Sequence, residues 1–245
     1  MYKKELNPFH YFEEFKLDKF DGGKLIAVGA SAGNGKSVAL NSMILNYVSQ
    51  GINVIIFSEN PSICYPVFEM IRGSKDIKIG QLVICPLTHV KDIFQKDLCY
   101  ILNHYFMKIK GRLAVIIDGD INSSLNFDLI SENTRRVIFE KYKPIKIKVT
   151  ENKYESGRRE AEELRNLAIT ANLSIVITKQ LLINYSGIES SVNTFPFQTL
   201  YASDLVITIS KKECFIINKI KSRYGSEKKF FKCSFDNKTR SLILI

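Results

Sequence analysis

The chain has 245 residues, of which 45% are hydrophobic, and it carries a formal net charge of +10. This length predicts one α/β domain whose core needs neither disulfides nor a structural metal. No run reaches the ~20 apolar residues of a membrane span and the N-terminus lacks a signal peptide's apolar centre, so we expect a cytoplasmic protein, in the host cytoplasm if viral, with no membrane partner.

Apolar runs and helical periods alternate along most of the chain. Residues 1–20 are predicted to form an aromatic, charged arm or linker, and residues 21–245 the main domain. Predicted strands cover residues 24–29, 53–57, 81–85, 113–117 and 174–178. Predicted helices cover residues 36–50, 61–72, 91–110 and 155–170. Four strand-like runs follow at 204–209, 213–219, 228–235 and 240–244. This order predicts an α/β fold with a mostly parallel central sheet, flanking helices and C-terminal antiparallel β-hairpins.

A phosphate-binding loop is predicted between the first strand and the first helix. The segment matches the P-loop pattern and consists of Ala30, Ser31, Ala32, Gly33, Asn34, Gly35, Lys36 and Ser37. The two glycines let successive backbone N–H groups point at phosphate oxygens, at the positive end of the helix. Lys36 would reach the β- and γ-phosphates, and Ser37 would bind Mg²⁺. The pattern predicts ATP or another NTP with Mg²⁺ as cofactors; an ordinary glycine-rich turn is the alternative.

Carboxylates follow two of the predicted strands. Asp118 comes directly after the fourth strand, the position of the acid that holds the Mg²⁺ water shell; a helix cap or turn is the alternative. Glu59 follows the second strand, and the carboxyl ends of parallel strands face the ligand crevice. It could orient or deprotonate the attacking water, or it could be a solvent-exposed residue or a cap before the next helix. Asp120 is open between a role at the metal and a solvated side chain.

These elements together resemble a RecA-like ATPase core. The helix 161–168 and the strand 174–180, which ends in a polar Gln, look like the corresponding elements of DnaB-type hexameric replicative DNA helicases. The segments 202–206 and 219–225 are similar to the closing hairpin of that family, and the tail resembles the replicative helicases of T-even-type phages. The resemblance covers residues 18–245, without the family's N-terminal domain and without the Asn-Arg pair that follows its Gln.

The resemblance implies a role for each residue of the phosphate site. Lys36 and Ser37 would bind phosphate and Mg²⁺. Glu59 would be the catalytic carboxylate, and Asp118 would be the acid of the metal shell. Gln180 would sense the γ-phosphate and relay its presence to the DNA-binding loop.

The resemblance also implies that two cations act on the neighbouring subunit. Lys221 and Arg223 would reach its γ-phosphate as a piston lysine and an arginine finger; two solvated charges on a hairpin are the alternative. Hydrolysis would then require a homo-oligomer, which the resemblance suggests is a hexamer. The arm 1–20 is the segment that could grip the next subunit.

The positive charge of the chain favours a polyanionic partner, and nucleic acid is the commonest one. A lysine-rich composition can also reflect an AT-rich genome. Two predicted loops could contact single-stranded DNA in the channel of a ring, or could be ordinary surface loops. The first, 135–153, is basic and contains Arg135, Arg136, Lys141, Lys143, Lys146 and Lys148. The second, 183–203, is polar and contains Tyr185, Phe195 and Phe197.

The favoured function is an ATP-dependent replicative helicase motor that translocates on single-stranded DNA as a hexameric ring. Primase or a helicase loader would be a further partner. A RecA-like recombinase that forms filaments on single-stranded DNA is one alternative. A noncatalytic, ATP-dependent helicase loader or regulator is the other.

Overall fold

A computed structural model of the chain describes residues 6–16, 23–58, 60–74, 79–86, 112–118, 161–162, 164–166, 168–169, 172–181, 201–223 and 230–245. The predicted helix over 91–110, the basic loop 135–153 and most of the loop 183–203 lie outside these residues. The helices are α1 (Lys36–Val48) and α2 (Tyr65–Arg72), and the described residues between 161 and 169 are also helical. The strands are β1 (Lys24–Ser31), β2 (Asn53–Ser58), β3 (Leu82–Pro86), β4 (Leu113–Asp118), β5 (Ser174–Leu181), β6 (Leu205–Lys211), β7 (Phe215–Ser222), β8 (Phe230–Asp236) and β9 (Ser241–Leu244).

Across the described residues the strands form one sheet in the order β3-β2-β4-β5-β1-β6-β7-β8-β9. The pairings from β3 to β6 are parallel, and those from β6 to β9 are antiparallel. The predicted fold class is therefore confirmed. Central parallel strands are covered on both faces, and this explains why β1, β2 and β4 are continuous apolar runs instead of alternating ones.

The parallel strands give the sheet two distinct edges. The carboxyl edge carries the ends of β1, β2, β4 and β5, and the amino edge carries their starts. Because β5 lies between β1 and β4, the strand before the phosphate loop and the strand before Asp118 are not hydrogen-bonded neighbours. A gap of one strand therefore separates the phosphate loop from the acid.

The helix predicted over 61–72 begins later than expected. Residues Pro61–Cys64 form a 3-10 turn, and α2 begins only at Tyr65. The reason is Pro66, which lacks the N–H that a continuous helix from residue 61 would need and whose ring would clash with the preceding turn. Proline is instead tolerated in the first turn of α2. None of the described helices is long and apolar enough to cross a membrane.

The described part of the N-terminal arm packs into the core of its own chain. Phe9, Phe12 and Phe15 are buried and belong to the same cluster as α1 and the α1-facing side chains of β1. The Asn7 side chain caps the turn by accepting a hydrogen bond from the backbone N–H of Phe9 at 3.0 Å. Its amide also donates to the carbonyl of Ser42 in α1 at 2.7 Å. Residues 6–16 thus cover their own ATPase-like sheet.

Candidate functional site

The turn between β1 and α1 has the conformation expected of a phosphate-binding loop. Gly33 and Gly35 have φ angles of 76° and 92°, in the left-handed region that glycine adopts without a steric cost. The backbone N–H of Asn34 closes the turn onto the carbonyl of Ser31 at 3.1 Å. Gly35 is the N-cap of α1, and among the described residues no side chain caps this helix. The first N–H groups of α1 therefore suit an anion.

Phe215, the first residue of β7, packs directly against the phosphate loop. A Cβ atom added to Gly35 would lie 2.4 Å from Cε1 of the Phe215 ring, whereas one added to Gly33 would meet nothing within 4 Å. Gly35 is thus required by its φ angle and by its packing, and Gly33 by its φ angle alone. Sequence reasoning missed Phe215, because no local pattern relates a strand near the C-terminus to this loop.

Asp118 ends β4 at the carboxyl edge and is buried beside the phosphate loop. Its Oδ1 lies 3.2 Å from Nζ of Lys36. The hydroxyl of Thr178 in β5 donates to the same oxygen at 2.9 Å. The hydroxyl of Ser58, at the end of β2, donates to Oδ2 at 3.0 Å. Both carboxylate oxygens are therefore held in place, which fixes the direction in which the acid faces Lys36.

Thr178 was not predicted, although it links the phosphate loop to the acid. It lies on β5, which fills the gap between β1 and β4, and its Cα is level with Val28. Gln180 follows two residues later on the same face of β5, is exposed, and is level with Ala30 at the start of the loop. The predicted γ-phosphate sensor thus lies beside the phosphate loop.

Cys64 is a buried thiol on the other side of Asp118. Burial, and then the negative charge of Asp118, raise the pKa of this thiol to about 12. The thiol therefore stays neutral at physiological pH. It adds no second negative charge beside the acid and does not act as a nucleophile.

The side chains at the loop fit a magnesium–triphosphate group. Ser37 follows Lys36 in the first turn of α1 and is half-buried. Its hydroxyl and the carboxylate of Asp118 are the oxygen ligands that Mg²⁺ prefers. Within the described residues, no cluster of three His, Cys, Asp or Glu side chains forms a metal cage. This pattern suits Mg²⁺, which is commonly bound through one or two protein groups, water and substrate phosphates.

Glu59 and Asp120 lie outside the described residues, as do the basic loop 135–153 and residues 183–200. The residue before Glu59, Ser58, is level with Asp118 across the β2–β4 pairing. The assignment of Glu59 to catalysis remains a prediction.

Lys221 and Arg223 lie at the amino edge, opposite the phosphate loop. The backbone N–H of Arg223 donates to the carbonyl of Asp204 at 2.9 Å, and the N–H of Asp204 donates to the carbonyl of Leu25, at the start of β1, at 2.8 Å. The stretch of β1 from Leu25 to Ser31 spans ~20 Å at ~3.3 Å per residue. The two cations are therefore too far from the loop of their own chain to touch a phosphate bound there.

Both cations contact the same backbone oxygen. Nζ of Lys221 and one terminal nitrogen of Arg223 each donate to the carbonyl of Tyr201 at 2.9 Å. Partial burial lowers the pKa of Lys221, and the positive charge of Arg223 lowers it further. Tyr201 begins the described part of the segment 183–203, so the cations join the end of that predicted loop to β7.

No protein-family model matches the sequence, and no curated protein matches it. Two solved structures share its fold. One is the ATPase domain of a DnaB-like replicative helicase, which has 10% identity, a TM-score of 0.61, and coverage of 91% of this chain and 84% of the other. The second is a DnaB-like replicative helicase described with its interactions with primase, at 11% identity and a TM-score of 0.61. That match covers 90% of this chain but only 57% of the helicase. The chain therefore has the RecA-like fold of helicase ATPase domains.

Proposed function

We propose that the chain is an ATP-hydrolysing motor that assembles as a hexameric ring and translocates on single-stranded DNA to unwind duplex during replication. The observation that carries this proposal is the convergence of Lys36, Thr178 and Ser58 on the buried carboxylate of Asp118, directly beside a phosphate-loop turn. The likeness of the sheet to helicase ATPase domains supports the same class of activity.

Each residue of the phosphate site has a distinct role in this proposal. The loop 30–37 would hold the triphosphate through its backbone N–H groups. Lys36 would leave Asp118, 3.2 Å away, to bind the β- and γ-phosphates, because a phosphate carries more negative charge than one carboxylate. Asp118 and Ser37 would then bind Mg²⁺, which neutralises charge on the phosphates when present. Glu59 would orient the attacking water, and Gln180 would sense the γ-phosphate.

The cations at the amino edge support catalysis between subunits. Lys221 and Arg223 cannot reach the loop of their own chain, which lies ~20 Å along β1. A second copy could present its phosphate loop to them, and an arginine supplied by a partner raises hydrolysis rates by about 10³–10⁵ in other enzymes. The net charge of +10 supports nucleic acid as the polymer that such an assembly binds. Primase or a helicase loader would be an additional partner.

Mixing two inactive variants tests whether sites are shared between subunits. Lys36→Ala should abolish nucleotide binding, whereas Arg223→Ala should preserve binding and stop hydrolysis. A mixture should recover activity, because the first variant supplies Arg223 and the second supplies an intact loop. Lys232→Ala, which removes an exposed cation on β8, is the matched control and should hydrolyse ATP normally. A mixture that remains inactive would count against shared sites.

Assembly and DNA stimulation separate the helicase from its alternatives. A helicase should form closed six-membered rings with a nonhydrolysable ATP analogue and an oligonucleotide, as seen by electron microscopy. Open filaments would instead indicate a strand-pairing recombinase, whose cations could serve neighbouring sites in the same way. Single-stranded DNA should stimulate steady-state hydrolysis by a motor. The same low rate with and without DNA would indicate an ATP-dependent loader or regulator.

A further inference from the structure

Asp204 is a buried carboxylate at the amino edge, immediately before β6, and it lies between two guanidinium groups. Its side chain is 1% exposed. Its Oδ1 accepts from Nε of Arg165 at 3.1 Å and lies 3.5 Å from Nε of Arg223. Its Oδ2 accepts from the backbone N–H of Leu25 at 3.0 Å. A buried carboxylate is tolerated when it is paired and hydrogen-bonded in this way.

The same residue holds both the backbone and the side chain of Arg223. The carbonyl of Asp204 accepts from the N–H of Arg223, while its carboxylate faces Nε of the same arginine. Asp204 is tied in turn to the start of β1 through both its backbone and its side chain. The end of β7 is also held by the arm, because the Ser222 hydroxyl donates to the carboxylate of Glu14. The position of Arg223 is therefore set by rigid parts of the fold.

The division of the guanidinium's donors suggests what this arrangement does. Nε of Arg223 faces a charged carboxylate, but a terminal nitrogen bonds only the neutral carbonyl of Tyr201. Hydrogen bonds to charged groups are roughly twice as strong as those between neutral groups. A phosphate would therefore displace the Tyr201 carbonyl before it displaces the Asp204 carboxylate. With 35% of its side chain exposed, Arg223 can still present its terminal nitrogens outward.

We propose that Asp204 is the positioning residue that keeps Nε of Arg223 fixed while the terminal nitrogens bind the γ-phosphate held by a neighbouring copy. This inference rests on the proposed function, in which Arg223 acts between subunits. Asp204 itself touches no substrate. It removes the conformational search that a long arginine side chain would otherwise make at each encounter with the phosphate.

The test replaces Asp204 with asparagine, which keeps an acceptor for Leu25 and removes the charge that holds Arg223. Asp204→Asn should lower kcat about 10–100-fold, the cost of a slightly misplaced group, and leave nucleotide affinity unchanged. Arg165→Gln is the matched control, because it removes the other partner of the same oxygen, and it should hydrolyse ATP near the normal rate. Equal losses in the two variants would overturn the proposal in favour of a purely structural ion pair.

Mixing with Lys36→Ala protein separates misplacement from misfolding. The Asp204→Asn chain keeps its phosphate loop, so a mixture should recover hydrolysis through Arg223 of the Lys36→Ala chain. If Asp204→Asn does not fold, Arg223→Lys is the second variant, because lysine lacks the forked donors that bind both partners at once. Its kcat should fall with nucleotide affinity unchanged, and a normal kcat would overturn the proposal.

The failure of this inference is distinguishable from failure of the proposed function. If Arg223→Ala hydrolyses ATP normally, Arg223 is not a finger and the shared site itself is wrong. If Arg223→Ala is inactive while a folded Asp204→Asn protein has a normal kcat, the shared site stands and the positioning role of Asp204 is wrong.

Discussion

Replacing Phe12 with alanine tests whether the N-terminal arm is part of the core of its own chain. The Phe12 side chain is 2% exposed. Its ring centroid lies 5.2 Å from that of Phe231 in β8 and 6.2 Å from that of Phe15. Phe15 in turn lies 5.6 Å from the ring of Tyr47 in α1. The substitution would therefore leave a cavity where the arm, β8 and α1 meet.

The expected loss follows from this burial. Removing a fully buried phenylalanine side chain typically costs about 3–5 kcal/mol, because the transfer energy of the ring is lost and the surrounding side chains close the cavity only partly. Domains have a total free energy of unfolding of about 5–15 kcal/mol. Phe12→Ala should therefore lower the urea midpoint strongly, with little change in the slope of the transition.

Equilibrium urea unfolding followed by circular dichroism measures this loss. Tyr11→Ala is the matched control, because Tyr11 is an adjacent aromatic residue that is 43% exposed, and it should cost about 1 kcal/mol or less. If Phe12→Ala is no less stable than Tyr11→Ala, the arm does not pack on its own chain in solution. If the substitution changes only the size of the oligomer, the arm grips a neighbour instead.

Three further predictions concern the phosphate site. Gly35→Ala should weaken nucleotide binding far more than Gly33→Ala, because both have positive φ but only the first meets an aromatic ring; fluorescent-nucleotide titration compares them, and equal affinities would contradict this packing. Thr178→Val should reduce stability by about 1.5–3 kcal/mol through a lost hydrogen bond to a carboxylate, with Thr178→Ser as the restoring control in urea unfolding; a stability equal to that of Thr178→Ser would refute it. The pKa of Cys64, raised to about 12, keeps its thiol neutral below that pH, so iodoacetamide should label the half-buried Cys214 well before Cys64 at neutral pH, as followed by mass spectrometry; the reverse order would show that the site opens.

Local sequence signals were enough for the elements around the phosphate site. The apolar run of β1, its glycine-rich turn and the start of α1 depend mainly on neighbouring residues, so pattern and propensity predict them together. Asp118 was predicted from its place at the end of an apolar run, and the structure brings it to 3.2 Å from Lys36. The start of α2 was wrong by four residues, because the sequence pattern was followed from Pro61 and the later Pro66 was not weighed.

Contacts between distant parts of the chain could not be predicted from one sequence. Thr178 reaches Asp118 only because β5 pairs between β1 and β4, and strand order is a property of the whole sheet. Phe215 packs under Gly35 for the same kind of reason. Asp204 did leave a trace, since a carboxylate followed directly by an apolar strand is commonly buried and paired. Its partners, Arg165 and Arg223, required the three-dimensional structure.

The opposite placement of the phosphate loop and of Lys221 and Arg223 has a consequence for how copies can associate. Opposite edges of a sheet cannot both face a single partner, so a two-fold dimer would leave its shared sites unfinished. Only head-to-tail repetition matches every loop with a foreign pair of cations, and the rotation per step decides between closure and unlimited growth. A closed circle completes a site at every junction. An open row always ends with one unmatched loop, so its output per copy would rise with its length, whereas that of a closed circle would not.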